Sequence, residues 1–227
     1  GIFSKIFLQN QYKNNIEYKQ QDAESIFEIK NSISQNTNTL GLWNTKLDWS
    51  PNKKHKVFYN FNLKLNSRKY NQNLETISLL NPNHFSVNDI TDETDFKQYL
   101  EWHHDLNKKH IQTFVVNHLY NDNKPQNTWV STNPFLTGFL PIQNDNQYNI
   151  QQIEREKQNN LDVLFKHYWI INSFNHLYFN VGNSYSNSYN QTQTVQNLSN
   201  QTTYNFNTDG FYNNLHYTLN DFYVGAE

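Results

Sequence analysis

From Lys56 to Asn66 the chain alternates: Val57, Tyr59, Phe61, Leu63 and Leu65 fall on one side, and Lys56, Asn60, Asn62, Lys64 and Asn66 on the other. Only Phe58 breaks the pattern. A period of two predicts a strand with one apolar and one wet face. Just upstream, Trp43, Thr45, Leu47 and Trp49 alternate with Asn44, Lys46, Asp48 and Ser50. Between the runs stands Pro51-Asn52-Lys53-Lys54-His55, so the pair reads as a hairpin. The unit returns with Leu161, Val163, Phe165, His167, Trp169 and Ile171, the link Asn172-Ser173-Phe174-Asn175, and then Leu177, Phe179, Val181, Asn183 and Tyr185. A third hairpin is expected around Asn107-Lys108-Lys109, followed by Ile111, Thr113, Val115 and Leu119, and a fourth around Asn220-Asp221. Phe27 to Ile33 predicts an earlier strand, and Ile2 to Tyr18 a less regular one.

The other connections read as long and polar: Ser67 to Asp95, Asp122 to Gln147, and Ser186 to Gly210. Loops beyond about 12–15 residues are usually functional or disordered. The middle one carries Trp129, Phe135 and Phe139 with Pro125, Pro134 and Pro141, so it is expected to be ordered and to supply substrate contacts. Gln191 to Thr203, with only Val195 and Leu198 as apolar anchors, is expected to be mobile. Short turns at one end and long loops at the other are a habit of outer-membrane barrels, whose strands cross in about 9–11 tilted residues. The fold class is therefore all-β: an antiparallel up-and-down meander, an incomplete outer-membrane β-barrel of about ten strands against ~22 in a large transporter. Two segments compete with it. Thr91 to His104 has caps and a helical spacing of Phe96, Tyr99, Leu100 and His103, and Ile150 to Phe165 could begin a helix; both are assigned as strands, because each short turn needs a strand before it.

On this reading Val57, Phe61, Leu63, Val163, Phe165, Leu177, Phe179 and Val181 face lipid, and Asn60, Asn62, Lys64, Asn180 and Ser184 face the lumen. Trp43, Trp49, Trp102, Trp129 and Trp169 are candidates for interfacial girdles, with Trp49 and Trp169 close to short turns; in a soluble sheet they would be core.

Composition narrows the choice. Hydrophobic residues are 36% of the chain and the mean hydropathy is −0.90, values of a weak core, yet aromatics reach 16%, with 15 Tyr and 16 Phe. Rings on one side and Asn, Gln, Ser and Lys on the other suit a sheet between two environments. A net charge of −2 and pI near 6.5 leave no basic face for a phosphate backbone, so no nucleic-acid partner is expected. The absence of cysteine excludes disulfides, thiolate zinc sites and cysteine nucleophiles from this stretch. Beginning at Gly1 and lacking methionine, the 227 residues are read as one internal segment, 1–227, of a larger barrel domain.

Leu161-Asp162-Val163-Leu164-Phe165-Lys166-His167-Tyr168-Trp169-Ile170-Ile171-Asn172 followed by His176-Leu177-Tyr178-Phe179-Asn180-Val181-Gly182-Asn183 resembles the barrel of TonB-dependent receptors of Bacteroidota, flavobacterial in type. Leu47 to His55 and Leu219 to Gly225 resemble periplasmic turns of the same barrels. The resemblance covers much of the chain and rests on strand and turn habits, not on an invariant motif. It implies a bacterial outer-membrane location and energy-coupled uptake of a small-molecule or oligomeric nutrient. It further implies a TonB complex engaged through an N-terminal box, and a plug domain, neither of which is found in these residues.

Candidate chemistry is sparse. His103, His104, His110 and His118 could converge on a metal, but they lack a zinc-type spacing and are expected to be wet-face or loop residues, so no metal or cofactor is expected. Glu154 and Glu156 share one side of a strand with Arg155 turned away, which a solvated strand end explains. No phosphate loop, nucleophile elbow or paired-carboxylate signature is present, so the chain is not expected to be an enzyme. Asn190, Asn197 and Asn200 fall in glycosylation patterns that arise by chance in so Asn-rich a chain. Two alternatives remain: an outer-membrane surface protein such as an adhesin, and a soluble all-β carbohydrate-binding module.

Overall fold

A computed structural model describes residues 2–21, 26–78, 81–209 and 211–227. Nine strands form one antiparallel sheet: β1 (Ile2–Gln21), β2 (Ile26–Asn52), β3 (His55–Ser78), β4 (Asn83–Asn107), β5 (His110–Ser131), β6 (Tyr148–Ile170), β7 (His176–Asn197), β8 (Thr203–Asn205) and β9 (Asn213–Ala226). Each of the first seven pairs with the next in a meander. The short β8, a 3-10 turn at Phe206–Asp209 and β9 then return along the free edge of β7. Among the described residues β1 pairs only with β2 and β9 only with β7, so the sheet is open. Among the described residues no second layer covers it, and no described helix is long and apolar enough to cross a membrane.

Three of the four expected short turns stand at one end of the sheet, after Asn52, Asn107 and Ile170. Each is closed by an asparagine side chain. Asn52 Oδ1 accepts the amides of Lys54 (2.8 Å) and His55 (3.1 Å). Asn107 repeats this with Lys109 (2.8 Å) and His110 (3.1 Å), and Asn172 does so with Phe174 (2.9 Å) and Asn175 (2.8 Å). An asparagine that satisfies turn amides two and three residues on is what holds the chain in a reversal. The fourth, Asn220-Asp221, is not a turn: both lie inside β9, paired with Tyr185 and Ser184. An Asn-Asp pair is compatible with a turn but does not force one, and here the ladder with β7 takes its backbone groups.

The loop expectations need correction at three places. Ser67 to Asp95 is mostly strand, because β3 runs to Ser78 and β4 starts at Asn83. Asp122 to Ser131 belongs to β5, which leaves 132–147 as the connection, and β7 runs to Asn197. Leu79, Leu80 and Gly210, within the expected loops, lie outside the described residues. Gln191 to Thr203 is not all loop: it is β7 as far as Asn197, with Thr194 5% and Gln196 0% exposed. These stretches carry apolar residues too few and too scattered, such as Leu74, Phe85 and Val87, to give a sustained period-two hydrophobic signal, although backbone ladders continue through them. Thr91 to His104 and Ile150 to Phe165 are strand, as assigned.

Candidate functional site

The register puts every residue expected to face lipid on one face of the sheet. Thr45, Phe61, Gln98, His118, Leu161, Tyr185 and Asn220 form one row across β2 to β7 and β9. Stepping by two places Val57, Leu63, Val163, Phe165, Leu177, Phe179 and Val181 on the same side, called the Phe61 face. Asn60, Asn62, Lys64, Asn180 and Ser184 fall on the opposite, Asn62 face.

The Phe61 face has a bounded stretch without formal charge. On β5 it runs from His110 to Tyr120, on β6 from Trp169 back to Asn159, and on β7 from Leu177 to Asn187. Within it, across β2 to β7 and β9, no Asp, Glu, Lys or Arg points to this face. About 11 residues at roughly 3.3 Å each, tilted by ~45°, give a band about 25 Å high. Its lower border carries Trp49, Trp102 and Trp169, and its upper one Trp43, Tyr120 and Tyr185. Nothing covers the band: Leu47 is 46%, Trp49 54%, Phe222 66% and Val224 58% exposed. Its polar groups largely satisfy one another. Tyr59 donates to Gln98 Oε1 (3.2 Å), Gln98 Nε2 lies 2.9 Å from His118 Nδ1, and His118 Nε2 lies 2.7 Å from Asn159 Oδ1.

Charge returns one row above, where Asp122 (7% exposed) accepts from Arg155 Nε and a terminal guanidinium nitrogen, each at 3.2 Å, and meets Lys124 Nζ at 3.2 Å. Burial pushes the Asp122 carboxyl up, but hydrogen bonds and charge from Arg155 and Lys124 outweigh it and hold the carboxyl below its ordinary range.

The Asn62 face carries the charges at the same height, interspersed with apolar residues such as Val115 and Leu164. Ser184 donates to Asp162, Ser186 to Asn160 (2.7 Å), and Lys64 pairs with Glu93 at 2.8 Å. A shallow cleft of about 380 Å³, lined by Asn60, Asn62, Lys97, Tyr99, Asn117 and Asp162 among others, lies on it. Gly182 sits beneath the Tyr223 ring, where any Cβ would collide with it.

Toward the long-loop end the apolar side changes over. Leu74, Phe85, Val87, Trp129, Tyr148 and Ile150 lie on the Asn62 face, and there the protein has its small core, with Ile150, Phe206, Gln196 and Ser131 all 0% exposed. The 132–147 connection folds onto this core. Phe135 packs edge-on against Phe85 (5.3 Å between centroids). Asn133 is tied to Asn81, Pro82 and Asn83 at 2.7–3.2 Å. The buried Gln196 amide both accepts from Gln143 N and donates to Gln143 O, each at 2.9 Å. Asp145 accepts from Ser199 through its hydroxyl and its amide, which holds the Asp145 carboxyl below the usual range. Between these anchors a tight turn with Leu136 (φ 58°) and Gly138 (φ 86°) presents Phe139, 79% exposed.

The three candidate contact residues therefore separate: Trp129 is a half-buried strand residue on the Asn62 face, Phe135 an anchor, and Phe139 the exposed tip. Among the histidines, His104, His110 and His118 share the Phe61 face and His103 lies opposite, its Nε2 3.2 Å from Asp105. No group of three or more metal-ligating side chains converges among the described residues. Glu154 and Glu156 point to the Asn62 face and Arg155 away, to Asp122. The loop anchors Gln143, Asp145 and Gln196 carry no sequence signal, because each acts only through a partner far along the chain. No protein-family model, curated protein or solved structure matches this chain.

Proposed function

We propose that this chain forms part of the wall of a bacterial outer-membrane β-barrel, with the Phe61 face in lipid and the Asn62 face toward the lumen. One observation carries the reading: an uncovered, charge-free band about 25 Å high, edged by Trp and Tyr, opposite a face that carries the charges at that height. Large exposed apolar patches mark contact with a partner or a membrane, and a band continuous across seven strands suits a bilayer. The strands outreach it: β2, with 27 residues, spans roughly 90 Å, so the upper half would stand outside the membrane. Phe61→Arg should cost about 2–4 kcal/mol in folding titrations into lipid vesicles, and Asn62→Arg little. Equal costs, or the reverse order, would refute the assignment of faces.

Within this barrel we assign the TonB-dependent type of energy-coupled nutrient uptake, on the strength of the Leu161–Asn183 resemblance and of the 132–147 loop, which folds over the lumenal face and presents Phe139 at the mouth. Phe139→Ala should lower uptake in cells severalfold and leave heat-modifiable gel migration unchanged. Undiminished uptake would remove the loop tip from recognition.

A further inference from the structure

The two first short turns are the same tetrapeptide, Asn52-Lys53-Lys54-His55 and Asn107-Lys108-Lys109-His110, built the same way. Besides the matching asparagine caps, the carbonyl of the second lysine in each turn accepts an amide from the next strand: Lys54 O from Asp105 N and Lys109 O from Ile170 N, both at 2.8 Å. Backbone bonds in and beside the turns thus hold the backbone that carries four lysines at one end of the sheet, about 10 Å apart turn to turn. Among the described residues none of the four makes an ion pair.

Between the turns, at the end of the sheet, lies a hollow of about 540 Å³ lined by Lys54, Asp105, Leu106, Asn107, Lys108 and Ile111, of which Asp105 and Ile111 belong to the Asn62 face. The one acid in it, Asp105, meets His103. Directly above, the charge-free band begins with two groups of stacked rings. His55, His104 and Trp102 lie 4.4–6.0 Å apart, and His110 lies 5.3 Å from His167 and 5.5 Å from Trp169. Lysines beneath imidazole and indole rings, beneath an apolar band, follow the order of layers in a phospholipid leaflet: phosphate, glycerol ester, acyl chain.

We propose that this rim is a binding site for anionic phospholipid, with Lys54 and Lys108 holding the headgroup phosphate between the turns, beneath the rings of the Phe61 face, and Lys53 and Lys109 adding long-range attraction. The proposal rests on the barrel reading above. The stacked rings and the charge-free band of the Phe61 face, which begin directly above the turns, favour a lipid over a free anion.

The test uses the protein as its gene encodes it, folded into phosphatidylcholine vesicles that contain brominated phosphatidylglycerol or brominated phosphatidylcholine, with tryptophan quenching as the readout. Trp102 and Trp169 at the rim should report a preference for phosphatidylglycerol of roughly tenfold at low salt, falling as salt is raised. Lys54→Gln with Lys108→Gln should bring it near unity, and Lys54→Arg with Lys108→Arg should keep it. Millimolar inorganic phosphate at constant ionic strength should leave it unchanged. Equal quenching by the two lipids, or a preference that survives the glutamine pair, would overturn the proposal, and loss of preference to inorganic phosphate would show a free-anion site instead. Failure to enter either vesicle would overturn the barrel reading itself.

Discussion

Asp145 and Gln196 show how single side chains hold the 132–147 loop to the sheet. Gln196 is buried and spends both ends of its amide on one residue, Gln143, which is the only way so polar a group sits at 0% exposure without penalty. Asp145 works by charge. Because its carboxyl is held below the ordinary aspartate range by Ser199, the anchoring it contributes is complete above about pH 4 and is lost as pH falls through the lower folded value. Limited proteolysis within 132–147 should therefore be slow and pH-independent from neutrality down to the ordinary range and accelerate below it. Asp145→Asn should be cleaved at the accelerated rate at neutral pH. A pH-independent rate in the original protein would show that the Gln196 and Asn133 anchors suffice.

At the scale of elements, the turns are where local sequence decides. Asn52, Asn107 and Asn172 each accept two backbone amides, and the turn forms wherever such a residue precedes a reversal between two alternating runs. Asn52→Ala or Asn107→Ala should cost about 1–2 kcal/mol, read as a lower urea midpoint, with the aspartate variants close to the original. The cap then explains why three turns were legible and Asn220-Asp221 misled: in β9 these residues serve the ladder, and Asn220 Oδ1 accepts from Asn183 across the strands (2.7 Å). The strand lengths were not legible. Upper β3, β4 and β7 carry only scattered apolar residues, and no sustained hydrophobic period separates such a strand from a loop.

For the whole molecule, the open edges are the outstanding physical fact. β9 offers Asn213–Ala226 with one side of its backbone unpaired among the described residues, and unpaired amides are not tolerated in hydrocarbon. If the chain is barrel wall, the outward amides of β9 pair with further strands in the assembled protein. Hydrogen exchange in vesicles should find the amides of Phe222–Ala226 on both edges protected for hours. Rapid exchange of the outward set would mean a sheet that stays open and is not a membrane wall. The sequence by itself determined the alternating strands of the charge-free band on β2, β3, β5, β6 and β7, but not β9, together with the faces their residues share and three of the turns, because a two-residue period and an asparagine cap are local properties of a few consecutive residues. Only the tertiary structure decided how far the strands run, that the apolar side changes from the Phe61 face to the Asn62 face toward the long-loop end, and that Gln143, Asp145, Gln196 and Ser199 bind the loop down. Those features depend on partners about 50 residues apart, and burial assigned across such distances leaves no pattern in the residues on either side.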